Sequence, residues 1–150
     1  MANVAEIDAL VSAYRLWLKD RTTVKEVHPD WVEITTPFLD RHNDYIQIYV
    51  RSTGGIYELS DDGHTINDLE ASGCNLETDK RQELLRLTLN GFNVDVKNGQ
   101  LQTKATAYNF SFRKHAMVQA ILAVNDLFVK CILPVRTAND KAGCRQLGQA

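Results

Sequence analysis

Apolar residues recur along this chain with two different periods, and each change of period marks a change of secondary structure. The first stretch has the spacing of an amphipathic helix and contains the apolar residues Val4, Ile7, Leu10, Val11, Tyr14, Trp17 and Leu18. Asn3 precedes this stretch and is the predicted N-cap, because its side chain can accept a hydrogen bond from a free backbone N–H. The apolar stripe of this helix requires a sheet to cover it.

The following residues alternate with the period of two that is typical of half-buried strands. They predict four strands, over residues 24–27, 31–36, 45–51 and 56–60. The last two are joined by a turn at Gly54-Gly55, which makes them a central hairpin. Placing their apolar residues on one face predicts the opposed pairs Val50–Tyr57, Ile48–Leu59, Asp44–Gly63 and His42–Thr65.

The second half of the chain predicts three helices and one further hairpin. The helices cover residues 66–71, with Thr65 as cap, then residues 79–89 and residues 111–129. Asn98-Gly99 predicts a type I′ turn, because both residues accept positive φ, and this turn places Val96 opposite Leu101.

The long C-terminal helix is apolar on almost every side between Ala116 and Val129. One small sheet and the first helix would leave part of its circumference uncovered, and we therefore expect a homodimer in which this helix contacts a second copy.

These elements predict an α+β fold in which a small antiparallel sheet, a meander plus a second hairpin, packs against the N-terminal and long C-terminal helices. Residues 1–135 are expected to form a single domain. Residues 136–150 lack apolar periodicity and are expected to be a flexible tail.

Composition narrows the class of protein. The chain has 150 residues, 44% of them apolar, and a formal net charge of -2, so it has no overall basic field for unspecific nucleic-acid binding. No stretch suggests a membrane span or a signal peptide, and we expect a cytoplasmic protein without membrane contact. Cys74, Cys131 and Cys144 are widely separated and form no CxxC pair, so we expect free thiols, with Cys74 the most exposed.

Most groups that could carry chemistry fall at the open end of the central hairpin. This candidate functional surface comprises Asp40, Arg41, His42, Asn43, Asp44, Asp61, Asp62 and His64. Carboxylates with imidazole suit a divalent metal that activates water, whereas Asp, Asn and Gly are equally typical of turns. Both interpretations stay open, and neither a catalytic residue nor a metal ligand can be assigned. We expect this end to be the functionally sensitive surface.

A metal-dependent nuclease is the enzymatic hypothesis, with Mg²⁺ or Mn²⁺ as its cofactor. It would use Asp44 and Glu58 with a lysine beside the second acid, but Leu59-Ser60 follows Glu58 and the alternation sends Glu58 to the face opposite Asp44. Phosphate-binding loops and the GxSxG and HExxH motifs are absent from the sequence. If the protein is not an enzyme, no cofactor is expected.

Nucleic-acid binding is a second hypothesis, because the order of helix, turn, helix and hairpin from Thr65 to Ala105 is similar to a winged helix-turn-helix. The candidate contacts to phosphate are Lys80, Arg81, Arg86, Lys97 and Lys104. Glu77, Asp79 and Glu83 interleave with these basic residues, which is equally typical of a solvated helix face.

The segments TPFLDRHNDYIQIYV, YELSDDGHTINDLEASG, KRQELL and HAMVQAILAVNDLF together resemble the family of bacterial and phage proteins called domain of unknown function 1828. The resemblance runs from about Trp31 to about Phe128 and implies an intracellular protein that is often carried by phages and mobile elements. It implies no reaction. Small phage proteins of this kind often inhibit host defence, and the resemblance therefore favours a non-enzymatic interaction protein that binds a host protein, a nucleoprotein complex or its nucleic acid. The metal-dependent nuclease is the alternative.

Overall fold

The computed structural model describes residues 1–133 of the chain. The predicted tail at 136–150 and Cys144 lie outside the described residues. In chain order the elements are α1 (Val4–Arg21), β1 (Thr23–His28), β2 (Trp31–Leu39), β3 (Tyr45–Thr53), β4 (Ile56–Ser60), α2 (His64–Ala71), α3 (Asp79–Asn90), β5 (Asp95–Lys97), β6 (Gln100–Ala105), α4 (Phe110–Asn125) and α5 (Leu127–Ile132).

The described strands form one antiparallel sheet in the order β1-β2-β3-β4-β6-β5. Its inner face carries Ile48, Leu59 and Leu101, which are completely buried against the helices. Alternation along each strand produces this face, because successive side chains point to opposite sides of a sheet. The predicted α+β class, with N-terminal and C-terminal helices beside an antiparallel sheet, is confirmed.

The predicted register of the central hairpin is wrong by two residues. Val50 pairs with Leu59, where Tyr57 was expected, and Thr53 pairs with Ile56. The reason is the turn, since its two central residues are Gly54 and Gly55, with φ of 59° and 80°. A shift of two residues keeps every side chain on its predicted face.

The second hairpin has the predicted register. Val96 pairs with Leu101 across a turn in which Asn98 and Gly99 have φ of 53° and 74°, as a type I′ turn requires. Its second strand, β6, also pairs with β4. The hairpin is therefore part of the main sheet and does not project as the wing of a winged helix-turn-helix.

The predicted C-terminal helix is broken near Asp126 into α4 and α5. Helix α4 contacts α2, α3, β4 and β6, and its buried residues include Met117, Ala120 and Val124. Helices α2 and α3 thus complete the cover of α4 within one chain. This removes the physical reason for placing a second copy against α4.

Residues 110–132 are long and apolar enough to cross a membrane by length and composition alone, so the expectation that no such stretch exists is wrong. The core helix of a soluble protein has the same length and composition. Because α4 packs on the sheet and two other helices, the described residues form a small soluble-like domain.

Helix α1 has its predicted N-cap but not its predicted cover. The side chain of Asn3 accepts a hydrogen bond from the backbone N–H of Glu6 at 2.8 Å. The helix contacts β2, yet none of its 18 residues is buried. The expectation that the sheet covers its apolar stripe is therefore wrong.

Two of the cysteines are not free thiols. Cys74, after α2, and Cys131, in α5, form a disulfide with their Cα atoms 5.4 Å apart, and Cys74 is completely buried. The two are 57 residues apart in sequence, so spacing alone could not reveal the pairing. Such bonds are rare in a reducing cytoplasm, and the cytoplasmic location stays a prediction that this bond does not support.

Candidate functional site

The loop between β2 and β3 is held by Asp40. Its side chain accepts hydrogen bonds from the backbone N–H groups of His42 at 2.8 Å and Asp44 at 3.0 Å, and its own N–H donates to the carbonyl of Asp44. Asn43 occupies the turn with φ of 61°. Asp40 and Asn43 therefore perform the turn chemistry that their residue types favour.

Asp68 of α2 binds this loop from the other side. One carboxylate oxygen accepts from Nη2 of Arg41 and the other contacts Nε2 of His42, both at 2.8 Å. Arg41 also donates to Oγ of Ser72 at 2.6 Å, and its guanidinium carbon lies 3.9 Å from the ring centroid of Phe128. The loop is thus fastened to α2 and α5 by charge-assisted hydrogen bonds and a cation–π contact.

Asn125 fastens the same loop to the end of α4. Its side-chain oxygen accepts from the backbone N–H of Arg41 at 2.9 Å, and the residue is buried. Neither Asp68 nor Asn125 is among the candidate residues predicted from the sequence. Asp68 could have been found, because it lies four residues after His64 and so on the same face of a helix. Asn125 interrupts an apolar run, which is the signal of a buried polar contact.

Asp61 organises the start of α2. It is 2% exposed, and its Oδ1 accepts from the N–H groups of Gly63 and Leu101, both at 2.9 Å. Its Oδ2 accepts from the N–H of Thr65 at 3.0 Å. Asp61 therefore supplies the cap that was assigned to Thr65, which lies inside α2. Its carboxylate is committed to three backbone donors.

The loop, the start of α2 and the first residues of β3 enclose a cavity of about 370 Å³, which we call the acidic cavity. It lies beside the part of β3 that has no partner in β4, since the ladder between these strands ends at Tyr49–Ser60 while β3 begins at Tyr45. The polar residues of its lining that matter here are Asp40, Asp44, Asp61, His64, Asp68 and Asn125.

Asp44 differs from the other acids of the cavity. Its carboxylate accepts none of the hydrogen bonds found among residues 1–133, and the residue is exposed at the cavity. Asp40, Asp61 and Asp68 all accept internal hydrogen bonds. The cavity therefore has a fixed acidic frame and one carboxylate that is free to bind a cation.

Tyr49 lines the cavity from β3. Burial raises the pKa of its hydroxyl, and the negative charge of Glu33 and a hydrogen bond to it raise the pKa further, with Asp62 contributing least. Tyr49 is therefore neutral at physiological pH.

Only some residues of the candidate functional surface lie together in the structure. Asp40, Asp44, Asp61 and His64 line the acidic cavity, while Asp62 lines a separate depression with His28 and Glu33. The predicted oppositions of Asp44 to Gly63 and of His42 to Thr65 do not form, because the chain turns into α2 after Ser60. Two residues of each cluster, Asp40 and Asp44 from the first and Asp61 and His64 from the second, nevertheless line the same cavity.

The groups required by the nuclease hypothesis do not converge. No cluster of three or more His, Cys, Asp or Glu residues that could hold a metal ion occurs within residues 1–133. Glu58 lies opposite Arg51 in the hairpin and forms an ion pair with it, and it is not among the residues that line the cavity with Asp44. The catalytic and metal assignments therefore stay unknown.

The basic residues do not form one surface. Lys97 and Lys104 line a depression of the sheet that also contains Glu58. Arg86 of α3 lines a different depression, between α3 and β5, and forms an ion pair with Glu83. Arg81 donates to the carbonyl of Asn75, and Lys80 is exposed on α3. Contact with nucleic acid at these five residues stays a prediction.

Comparison with known protein families places most of the chain in an uncharacterised family. The family model described as Domain of unknown function DUF1828 matches residues 36–124, which contain the whole acidic cavity except Thr35 and Asn125. No curated protein and no solved structure matches the chain.

Proposed function

We infer that the chain, which belongs to the family Domain of unknown function DUF1828, is a non-enzymatic binding protein whose acidic cavity receives a cationic side chain of a partner protein. The free carboxylate of Asp44 inside a rigid acidic frame is the observation that carries this proposal. A guanidinium or ammonium group is the ligand that such a carboxylate binds best.

The arrangement of the other acids favours binding over hydrolysis. A metal site needs several carboxylate or imidazole groups that are free to turn toward one ion. Asp61 holds three backbone N–H groups and Asp68 holds Arg41 and His42, so both would lose these bonds in order to coordinate a metal. A partner's basic group requires only Asp44 and the negative field of its neighbours.

The charge of the cavity favours a protein partner over nucleic acid. Phosphates are repelled by an acidic cavity, whereas proteins that handle nucleic acid present clusters of Arg and Lys. A host defence component of this type is the partner that we propose, with the protein as its phage-encoded or mobile-element-encoded inhibitor. Location in the cytoplasm, where such components act, is part of the same proposal.

A peptide of alternating arginine and glycine is a direct probe. We expect NMR titration of the full chain to shift amide signals of residues 40–49 and 61–68 saturably, and added salt to weaken binding. Asp44→Asn should lower the affinity about fivefold, which corresponds to roughly 1 kcal/mol for one partly exposed ion pair.

Asp20→Asn is the matched control, because Asp20 is an exposed aspartate outside the cavity. It should leave the affinity unchanged. Shifts scattered over the whole surface, or equal weakening by both variants, would contradict the proposal. Such results would mean that only the overall negative charge attracts the peptide.

A further inference from the structure

Helix α1 is a long element with almost no support from its own chain. The element that it contacts most is β2, none of its residues is buried, and Leu10 and Val11 are 62% and 38% exposed. At about 1.5 Å per residue the helix is about 27 Å long. A row of exposed apolar side chains of this length indicates an interaction surface.

The spacing of these side chains indicates what kind of partner fits. Steps of three and four residues alternate through the series Val4, Ile7, Val11, Tyr14 and Leu18. This is the a and d pattern of a heptad repeat, which forms the seam between two packed helices. The partner surface of α1 is therefore another helix.

The charges of α1 indicate which helix this is. Acidic Glu6 and Asp8 lie in its N-terminal half, while its C-terminal half has the basic residues Arg15, Lys19 and Arg21 and one acidic residue, Asp20. Two copies side by side in antiparallel orientation bring each acidic half against a basic half. The opposed helix dipoles favour the same orientation.

One charge pair is particularly well placed. Asp8 and Arg15 both occupy position e of the heptads, and in an antiparallel pair of helices position e lies beside position e of the other helix. Asp8 would therefore face the partner's Arg15, and symmetry would repeat this ion pair. In a parallel pair, position e lies beside position g, where the chain has Asn3, Leu10 and Trp17 and no opposite charge.

We propose that the protein forms a homodimer through antiparallel packing of α1 on α1 of a second copy. Val11 packs near the centre of the seam against the partner's Tyr14, and Leu10 flanks the partner's Trp17. Tyr14 and Trp17 are already stacked on each other at 6.2 Å, which presents a preformed aromatic surface. Helix α1 lies outside residues 36–124, so this interface is separate from the acidic cavity and independent of its function.

The mass in solution tests the proposal directly. Light scattering of the full chain at micromolar concentration should give twice the monomer mass of 16.9 kDa. Val11→Asp should give a monomer, because it places a charge at the centre of the seam. Its melting curve should match that of the wild type diluted until it is monomeric, since Val11 is not buried within its own chain.

A charge exchange tests the orientation. Asp8→Arg or Arg15→Asp alone places two pairs of like charges across the seam, and each should weaken the dimer by about tenfold or more. An equimolar mixture of the two variants should restore a tight heterodimer, because every pair is then opposite in sign. Asp20→Arg is the matched control, since Asp20 lies off the seam at position c.

Three results would overturn the proposal. A wild-type monomer would show that α1 does not pair with itself and would leave a helix of another protein as its partner. A dimer that survives Val11→Asp would place the interface elsewhere. A mixture that fails to restore association would exclude the antiparallel orientation.

Discussion

At the scale of single residues, aspartates that look alike in the sequence have different roles. Asp61 and Asp62 are neighbours, but Asp61 is buried and accepts three backbone N–H groups, whereas Asp62 is exposed with φ of 59°. Asp44 has no hydrogen-bond partner for its carboxylate within the described part of the chain. Asp61 therefore has a structural role, whereas Asp44 is the residue whose replacement should affect binding and leave stability unchanged.

Asp61→Asn should lower the free energy of unfolding by about 2 kcal/mol, because an amide N–H₂ would face the N–H of Thr65 in place of the accepting Oδ2. Urea unfolding measures this change. Asp62→Asn is the matched control, since Asn tolerates positive φ, and it should alter stability by less than about 0.5 kcal/mol. Equal stability of both variants would contradict the structural role that we assign to Asp61.

At the scale of elements, several long-range contacts hold the C-terminal helices to the site. Arg41 reaches Asp68 of α2 and Phe128 of α5, and the disulfide joins the connection after α2 to α5. The sequence correctly predicts that these segments are helical, since apolar period and capping are local signals, but it predicts one helix where the structure has α4 and α5. It does not predict how they are joined, because partners such as Cys74 and Cys131 are remote in the chain.

Loss of the disulfide should lower the free energy of unfolding by about 2–4 kcal/mol, because the bond closes a long loop and restricts the unfolded chain. Urea unfolding of the wild type with and without a reducing agent measures this. Cys131→Ser should show the lower stability in both conditions and no further effect of reduction. An unfolding midpoint that does not respond to reduction in the wild type would show that the bond adds no stability.

At the scale of the whole molecule, two surfaces have separate roles in our proposals. The acidic cavity lies within the part of the chain that matches the family, and α1 lies before it. A nuclease would bind a metal ion in the acidic cavity, whereas a binding protein would use the cavity without a metal. Stability in the presence of metal distinguishes these alternatives.

We expect the melting temperature to be the same with a chelator and with millimolar Mn²⁺ or Mg²⁺. A metal that binds the folded state at a hundredfold excess over its Kd would add about 2.7 kcal/mol, which a thermal melt detects easily. A clear rise of the melting temperature, together with cleavage of a plasmid or an RNA that Asp44→Ala abolishes, would show that the protein is a nuclease and contradict the proposed binding function.

Three kinds of feature could be predicted from the sequence alone: the helical or extended character of the segments, the apolar face of the strands and the position of the turn in the second hairpin. These features follow from interactions within a few residues, such as the positive φ that Asn98-Gly99 accepts. Three other features could not be predicted: Asp68 and Asn125 hold the loop of Asp40, Cys74 forms a disulfide with Cys131, and α1 is left uncovered. Those outcomes depend on how distant segments pack together, and no local period or spacing records that packing.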